Sequence, residues 1–187
     1  YQIRMVNDGP LPDFLDRKEL FNIVTSRLEK AGYKRAGFET YVLPDDPIDK
    51  AMKDKKALFN SLGVMKGEAN NFIAIGSSGQ GVLGDDYYSQ NYYSLDLYKK
   101  SLDEDKLPIY RGYKCSDDDK IRRHIMNDIR TYFKINYSEI KKKFNINFLD
   151  FFKKELNFLN DHTKDGLVKI DEKDLLVTDL GAHFAPQ

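Results

Sequence analysis

The segment at residues 70–91, NNFIAIGSSGQGVLGDDYYSQN, limits the fold more than any other stretch of the 187-residue chain. A short apolar run from Phe72 to Ile75 feeds a glycine-rich segment and then a pair of tyrosines. Gly76, Gly79, Gly81 and Gly84, with Gly67 just upstream, make up five of the 12 glycines. Glycines crowded in this way serve a backbone that must take positive φ or let a ligand or another strand approach closely. Gly79, Gly81 and Gly84 have the spacing of a pyrophosphate-binding turn, but Asp85, Asp86, Tyr87 and Tyr88 follow where such a turn needs an apolar helix. Two adjacent carboxylates repel phosphate, and no glycine is followed by Lys-Ser or Lys-Thr, so neither a dinucleotide site nor a Walker loop is expected. The plainer reading is a tight glycine turn at the end of a strand.

The flanking patterns place that segment among alternating helices and strands. Asp16 and Glu19 have capping-box spacing before Leu20, Val24, Leu28 and Ala31, which predicts a helix that stops at Gly32. Residues 33–43 read as a strand closed by Pro44. Asp46-Pro47 opens a helix carrying Ile48, Met52, Leu58 and Leu62, and residues 71–75 read as the next strand. Helix, strand, helix, strand in this order predicts an α/β fold of βα units around a parallel sheet. In such folds ligands bind at the C-terminal ends of strands, which makes Asp85 and Asp86 the best-placed polar groups of the chain.

After a short helix at 94–102 and an extended run at 107–113, the pattern changes. Ser116 caps a helix with Asp117, Asp118 and Asp119 in its first turn, and Ile121, Ile125, Ile129 and Phe133 recur every four residues. A short helix around Ile140 and Phe144 and a longer one at 148–161 follow, then alternating runs at 167–170 and 175–177. Three helices and a hairpin outline a winged helix. DNA binding by such a module needs a basic recognition helix, whereas residues 117–187 hold 13 basic and 13 acidic side chains. A structural or substrate-covering role is the expectation for it.

Charge and chemistry narrow the function further. With 30 basic and 30 acidic residues, the chain has no global attraction for nucleic acid or an anionic membrane. No apolar run approaches the roughly 20 residues of a membrane span. A single cysteine, Cys115, excludes an internal disulfide and points to a reducing, cytoplasmic setting. His124, His162 and His183 lie at no metal-ligand spacing, and no Ser/His/Asp or Cys/His arrangement can be assembled. The start at Tyr1 without Met suggests a piece of something longer.

Several motifs, taken together and in order, carry a resemblance. They are ProAspAsp at 44–46, GlyAspAspTyrTyrSerGlnAsn at 84–91, ArgGly at 111–112, AspAspLysIleArgArg at 118–123, and the stretch from AspGlyLeuVal to ValThrAspLeuGly at 165–181. The chain resembles the C-terminal part of the oxygen-independent coproporphyrinogen III oxidases, radical S-adenosylmethionine (SAM) enzymes of haem biosynthesis. The resemblance implies an oxidoreductase that decarboxylates two propionates to vinyls, giving protoporphyrinogen IX, with SAM and a 4Fe–4S cluster as cofactors. It implies the last βα units of a partial, TIM-like parallel barrel over residues 1–115, and a helical, winged-helix-like domain over 116–187. The partner it implies is the N-terminal part of the same protein.

Site residues follow from the same resemblance. Ser61 and Leu62 stand where the family has an aromatic and an amide that contact a second SAM, and Gln80 stands where it has an apolar SAM contact. Gly76, Asp85 and Arg111 are expected on the substrate side, with Arg111 suited to a propionate. Alternatives from the same scaffold are a haem chaperone or a haem-modifying paralogue, and from another class a non-enzymatic winged-helix interaction module. No catalytic residue and no metal ligand is expected in this chain, because a cluster takes three cysteine thiolates and the chain has one. Reconstitution of the chain with iron and sulfide is therefore expected to leave no stable cluster by absorbance and iron analysis. A retained stoichiometric cluster would overturn this expectation.

Overall fold

The computed structural model describes residues 11–60, 63–67 and 71–184. Ser61 and Leu62 lie outside the described residues, as do Asn70 and the first ten positions. The chain is a mixed α/β fold, and among the described residues every strand pair is antiparallel. The expected parallel sheet is thereby corrected. The physical reason is the brevity of the connections: parallel neighbours need a crossover of about a dozen residues or more, whereas most of these strands are joined by turns.

Helix α1 (Phe14–Lys30) opens at Asp13, whose side chain takes the Asp16 N–H while Asp16 reaches back. The capping box therefore lies three residues earlier than Asp16 and Glu19 suggest. None of the helix is fully buried; Leu20 and Val24 are each 53% exposed. It is held through Phe14 stacked on Phe184 at 5.2 Å and Phe21 edge-on to His183 at 5.0 Å. The expected strand at 33–43 is a hairpin, β1 (Lys34–Ala36) and β2 (Thr40–Val42), folded at Gly37.

Helix α2 (Pro47–Lys53) has the predicted Asp46 cap and proline start but ends early. Asp54 caps it, Lys55 turns left-handed at φ 54°, and Leu58 enters a second hairpin, β3 (Leu58–Asn60) with β4 (Gly63–Met65). Leu58 keeps a helix-like spacing of four only with Leu62, and it lies six residues from Met52. Residues 71–75 form only a two-residue strand, β5 (Asn71–Phe72), which pairs with β6 (Gln80–Leu83). The sheet continues through β7 (Tyr87–Asn91), helix α3 (Leu95–Asp103) and β8 (Ile109–Lys114), in the order β5-β6-β7-β8.

Helix α4 (Asp117–Tyr132) is the longest element of the second half, with a capping box from Ser116 and Asp119. It ends at Phe133 in a left-handed turn, φ 56°, that sends the chain straight into β9 (Lys134–Asn136). Helices α5 (Tyr137–Phe144), α6 (Phe148–Phe151) and α7 (Lys153–Lys164) follow, then β10 (Val168–Ile170) and β11 (Asp174–Val177). Strand β9, absent from the sequence reading, pairs with β11 and completes a three-stranded sheet, β10-β11-β9. The main core lies here: Ile121 and Ile125 of α4 meet Ile135, Ile140, Phe148, Phe152, Val168, Leu175 and Val177. Tyr137 stacks on Phe148 at 4.6 Å.

Ile135 and Ile140 are completely buried. Replacing Ile140 by Ala removes a side chain whose cavity cannot be filled by solvent, so I140A is expected to cost about 2–5 kcal/mol of stability in chemical denaturation. A loss below about 1 kcal/mol would show that this core collapses around the gap.

Candidate functional site

The glycine segment is a strand and a hairpin rather than a phosphate loop. Residues 73–79 form an irregular loop, β6 leaves it at Gln80, and Gly84 to Asp86 turn the chain into β7. At Gly81 the strands approach closely: a Cβ there would stand 2.5 Å from Ser89 Oγ and 3.1 Å from the Phe72 carbonyl. Gly76 takes φ 98° in open space, so it serves the turn and not a close contact.

Two polar side chains hold this loop from beneath. Asn91 is 3% exposed, and its amide donates to the carbonyls of Ala74 at 3.2 Å and Gly76 at 3.0 Å. Tyr98 of α3 accepts the Gly76 N–H at 2.9 Å. The backbone adds Ser78 N–H to Tyr92 O at 2.8 Å and Asn91 N–H to Gly79 O at 2.9 Å. Buried amides must find partners, and here the partners are the loop's own carbonyls, so the loop shape is set by Asn91.

Across the sheet, Gln80 pairs with Gln90 and Gln90 with Arg111, which puts three polar side chains in one row on one face. Gln90 is 7% exposed and accepts from Arg111 Nε at 2.9 Å. The guanidinium is thereby oriented through one nitrogen while its two terminal nitrogens remain available for a planar acceptor. Just beyond, a bulge between Gln90 and Asn91 displaces Tyr110, whose ring meets Tyr92 at 5.8 Å and Tyr93 at 6.2 Å.

Gln80 and Arg111 thus share one row of the sheet, and the Gly76 turn is held next to it through Asn91, the neighbour of Gln90. Asp85 does not join them; it sits in the β6–β7 turn, about 13 Å further along the strand. Its carboxylate lies 3.5 Å from Arg123, which also donates to Gly84 O at 3.2 Å and covers the Tyr88 ring. Asp86 pairs with Lys120 at 2.7 Å, and this ammonium holds the Asp86 carboxyl below its usual range. Both carboxylates therefore face α4, not a strand end open to ligand. Cys115 is buried, its thiol pushed up by burial, and its N–H donates to Asp86 O. Such a thiol is a poor nucleophile and metal ligand. The sequence reading missed Asn91 and Tyr98 as loop supports; TyrTyrSerGlnAsn at 87–91 carries no apolar–polar alternation that would have marked the strand.

Comparison with known proteins fits this arrangement. Residues 115–184 match the family described as HemN C-terminal domain. The chain is 32% identical over 179 residues to "Oxygen-independent coproporphyrinogen III oxidase" of Helicobacter pylori (strain ATCC 700392 / 26695), covering 96% of this chain and 39% of that protein. It is 30% identical over 178 residues to the protein of the same name from Pseudomonas aeruginosa, covering 95% and 38%. Among solved structures it is similar to "Coproporphyrinogen III oxidase (HemN) from Escherichia coli", described as a radical SAM enzyme, with a TM-score of 0.85, 28% identity, and coverage of 94% of this chain and 40% of that one. The chain spans about two fifths of the length of the curated relatives it matches. Its second half is thus a HemN C-terminal domain. The chain as a whole is similar to the C-terminal part of these oxidases.

Asn91 supplies the test of the loop. N91A leaves the Ala74 and Gly76 carbonyls without their donor and is expected to cost about 1–3 kcal/mol. Limited proteolysis should then cut within residues 73–79 first, and an unchanged cleavage pattern would show that Asn91 does not shape the loop.

Proposed function

We propose that this chain is the C-terminal region of a radical SAM enzyme that converts coproporphyrinogen III to protoporphyrinogen IX by oxidative decarboxylation of two propionates. The observation that carries the reading is the collinear likeness to named oxidases over 96% of the chain, at 32% identity. On this reading residues 1–115 lie against a partial parallel barrel, and residues 116–187 form a winged-helix-like cap. Three helical stretches and the strand order β10-β11-β9 support the cap, and the family match beginning at 115 supports the boundary.

The barrel itself is assigned to the preceding part of a longer protein. Ile73 and Ile75, 84% and 90% exposed, and the uncovered apolar residues of α1 support such a covering partner. SAM and a 4Fe–4S cluster are the cofactors of this reading. The cluster does not fit the residues of this chain: one buried cysteine cannot supply three thiolates. Among the described residues no group of three or more His, Cys, Asp or Glu could hold a metal ion. Gln80, with Ser61 and Leu62, is assigned to the SAM side.

Arg111, oriented by Gln90, is assigned to a substrate propionate, and the Gly76 turn gives a bulky tetrapyrrole room at the backbone. Asp85 is assigned to the contact of the β6–β7 turn with Arg123 instead of to the substrate. A cytoplasmic location accords with the lone thiol. No helix among the described residues is long and apolar enough to cross a membrane.

The assay is anaerobic turnover of the full-length protein with SAM, a reductant and coproporphyrinogen III. R111A is expected to raise KM for the tetrapyrrole roughly 10- to 100-fold with kcat nearly unchanged, the signature of lost uniform binding. Wild-type protein that cleaves SAM yet decarboxylates no coproporphyrinogen would sink this reading in favour of a haem-related paralogue.

A further inference from the structure

A cavity of about 280 Å³ opens between the base of the β3–β4 hairpin, α4 and α5. Lys55, Lys56, Lys66 and Lys143 line it together with His124 and Asp128. Two of its ammonium groups, Lys56 and Lys143, meet no carboxylate among the described residues. Lys55 is engaged with Glu139 at 3.0 Å, but Lys56 has no ion pair among the described residues. The Lys143 ammonium meets no carboxylate either; it lies 3.2 Å from His124 Nδ1 and 5.4 Å over the Phe144 ring.

Lysines gathered around a concave wall repel one another unless an anion joins them, and a cation that settles on an imidazole lone pair lacks a better acceptor. With Nδ1 accepting from Lys143, His124 carries its proton on Nε2, which faces Asp128 Oδ2 at 3.6 Å. We propose that this cavity is a binding site for the phosphate-type oxyanion of a small molecule, with Lys56 and Lys143 as its principal ligands. The site is separate from the Gln80–Arg111 row and does not rest on the enzyme reading.

Asp128 gives the site a pH signature. Burial, reinforced by Glu139 and opposed by Lys143 and Lys55, pushes its carboxyl up to about 6. Burial, with Lys143, pushes His124 down to about 4, so the imidazole stays neutral above pH 5. As pH falls through 6, Asp128 takes a proton, the wall loses its inner negative charge, and oxyanion affinity rises.

The test uses inorganic sulfate, whose charge is constant over this range, titrated into the ¹⁵N-labelled full chain at matched ionic strength in chloride. Saturable shifts are expected at Ala57, Leu58, Asn127 and Asp128, with affinity rising severalfold from pH 7.5 to 5.5. K56A/K143A should weaken binding roughly tenfold, the scale of two lost charge-assisted contacts. Asp128→Asn, an isostere that keeps the packing, should bind tightly at pH 7.5 and lose the pH dependence. Inorganic phosphate and citrate arms separate a phosphate site from a general polycarboxylate site, and preference for citrate would overturn the ligand class. Non-saturable shifts shared with Lys141, Lys142 and the α7 lysines, or wild-type affinity in K56A/K143A, would overturn the site. If the double variant melts early, an unaltered pH profile in D128N overturns it alone.

Discussion

Helix α4 is the strut on which the rest of the chain depends. Its apolar stripe, Ile121 and Ile125, closes the main core. Its remaining faces reach the first half of the chain. Asn127 Oδ1 accepts the Phe59 N–H at 2.7 Å, and Tyr132 bonds both the N–H and the carbonyl of Ala57, which fixes the β3–β4 hairpin. Arg123 and Lys120 hold the β6–β7 turn through Gly84, Asp85 and Asp86. Exposed ion pairs contribute little by themselves, so the buried and half-buried backbone contacts of Asn127 and Tyr132 carry most of the coupling. Helix α4 thus joins the HemN C-terminal domain to the segment that carries the glycine hairpin.

The four-stranded sheet shows how a site is placed by register. Gln80, Gln90 and Arg111 come from sequence positions far apart and meet because antiparallel partners share a face. Gln90 is buried so that it can orient Arg111, and Asn91 is buried so that it can shape the loop at Gly76. Neighbouring residues of one strand therefore serve opposite faces, which follows from the two-residue period of a strand. Asp85 is left out of the row for the same reason: it sits past the strand end, where the chain turns back toward α4.

Much of the second half was legible in the sequence. Ser116, the acidic first turn and the isoleucine repeat of α4 are local signals, and the structure keeps them because propensity, capping and burial agree. The first half was less legible. Leu58 and Leu62 continued an apolar spacing that local signals assign to a helix, while the contacts of Asn127 and Tyr132, some 70 residues away, make Leu58 part of a hairpin. The run from Phe72 to Ile75 looked like a full strand, yet only its start pairs with β6. The glycines announced close approach without saying to what; Ser89 and Phe72, brought in by strand pairing, are the answer at Gly81.

By itself the sequence determined the likeness to these oxidases, through ordered motifs from Pro44 to Gly181, and the helices whose caps and apolar stripes lie within one stretch. It also determined that one cysteine cannot hold a cluster. Only the tertiary structure decided that the strands run antiparallel, that Asp85 and Asp86 belong to the contact with α4, and that Gln90 stands between Gln80 and Arg111. These are matters of register and of non-local pairing. Local side-chain chemistry cannot encode them, because a strand's partner is chosen by the burial and hydrogen bonding of the whole sheet.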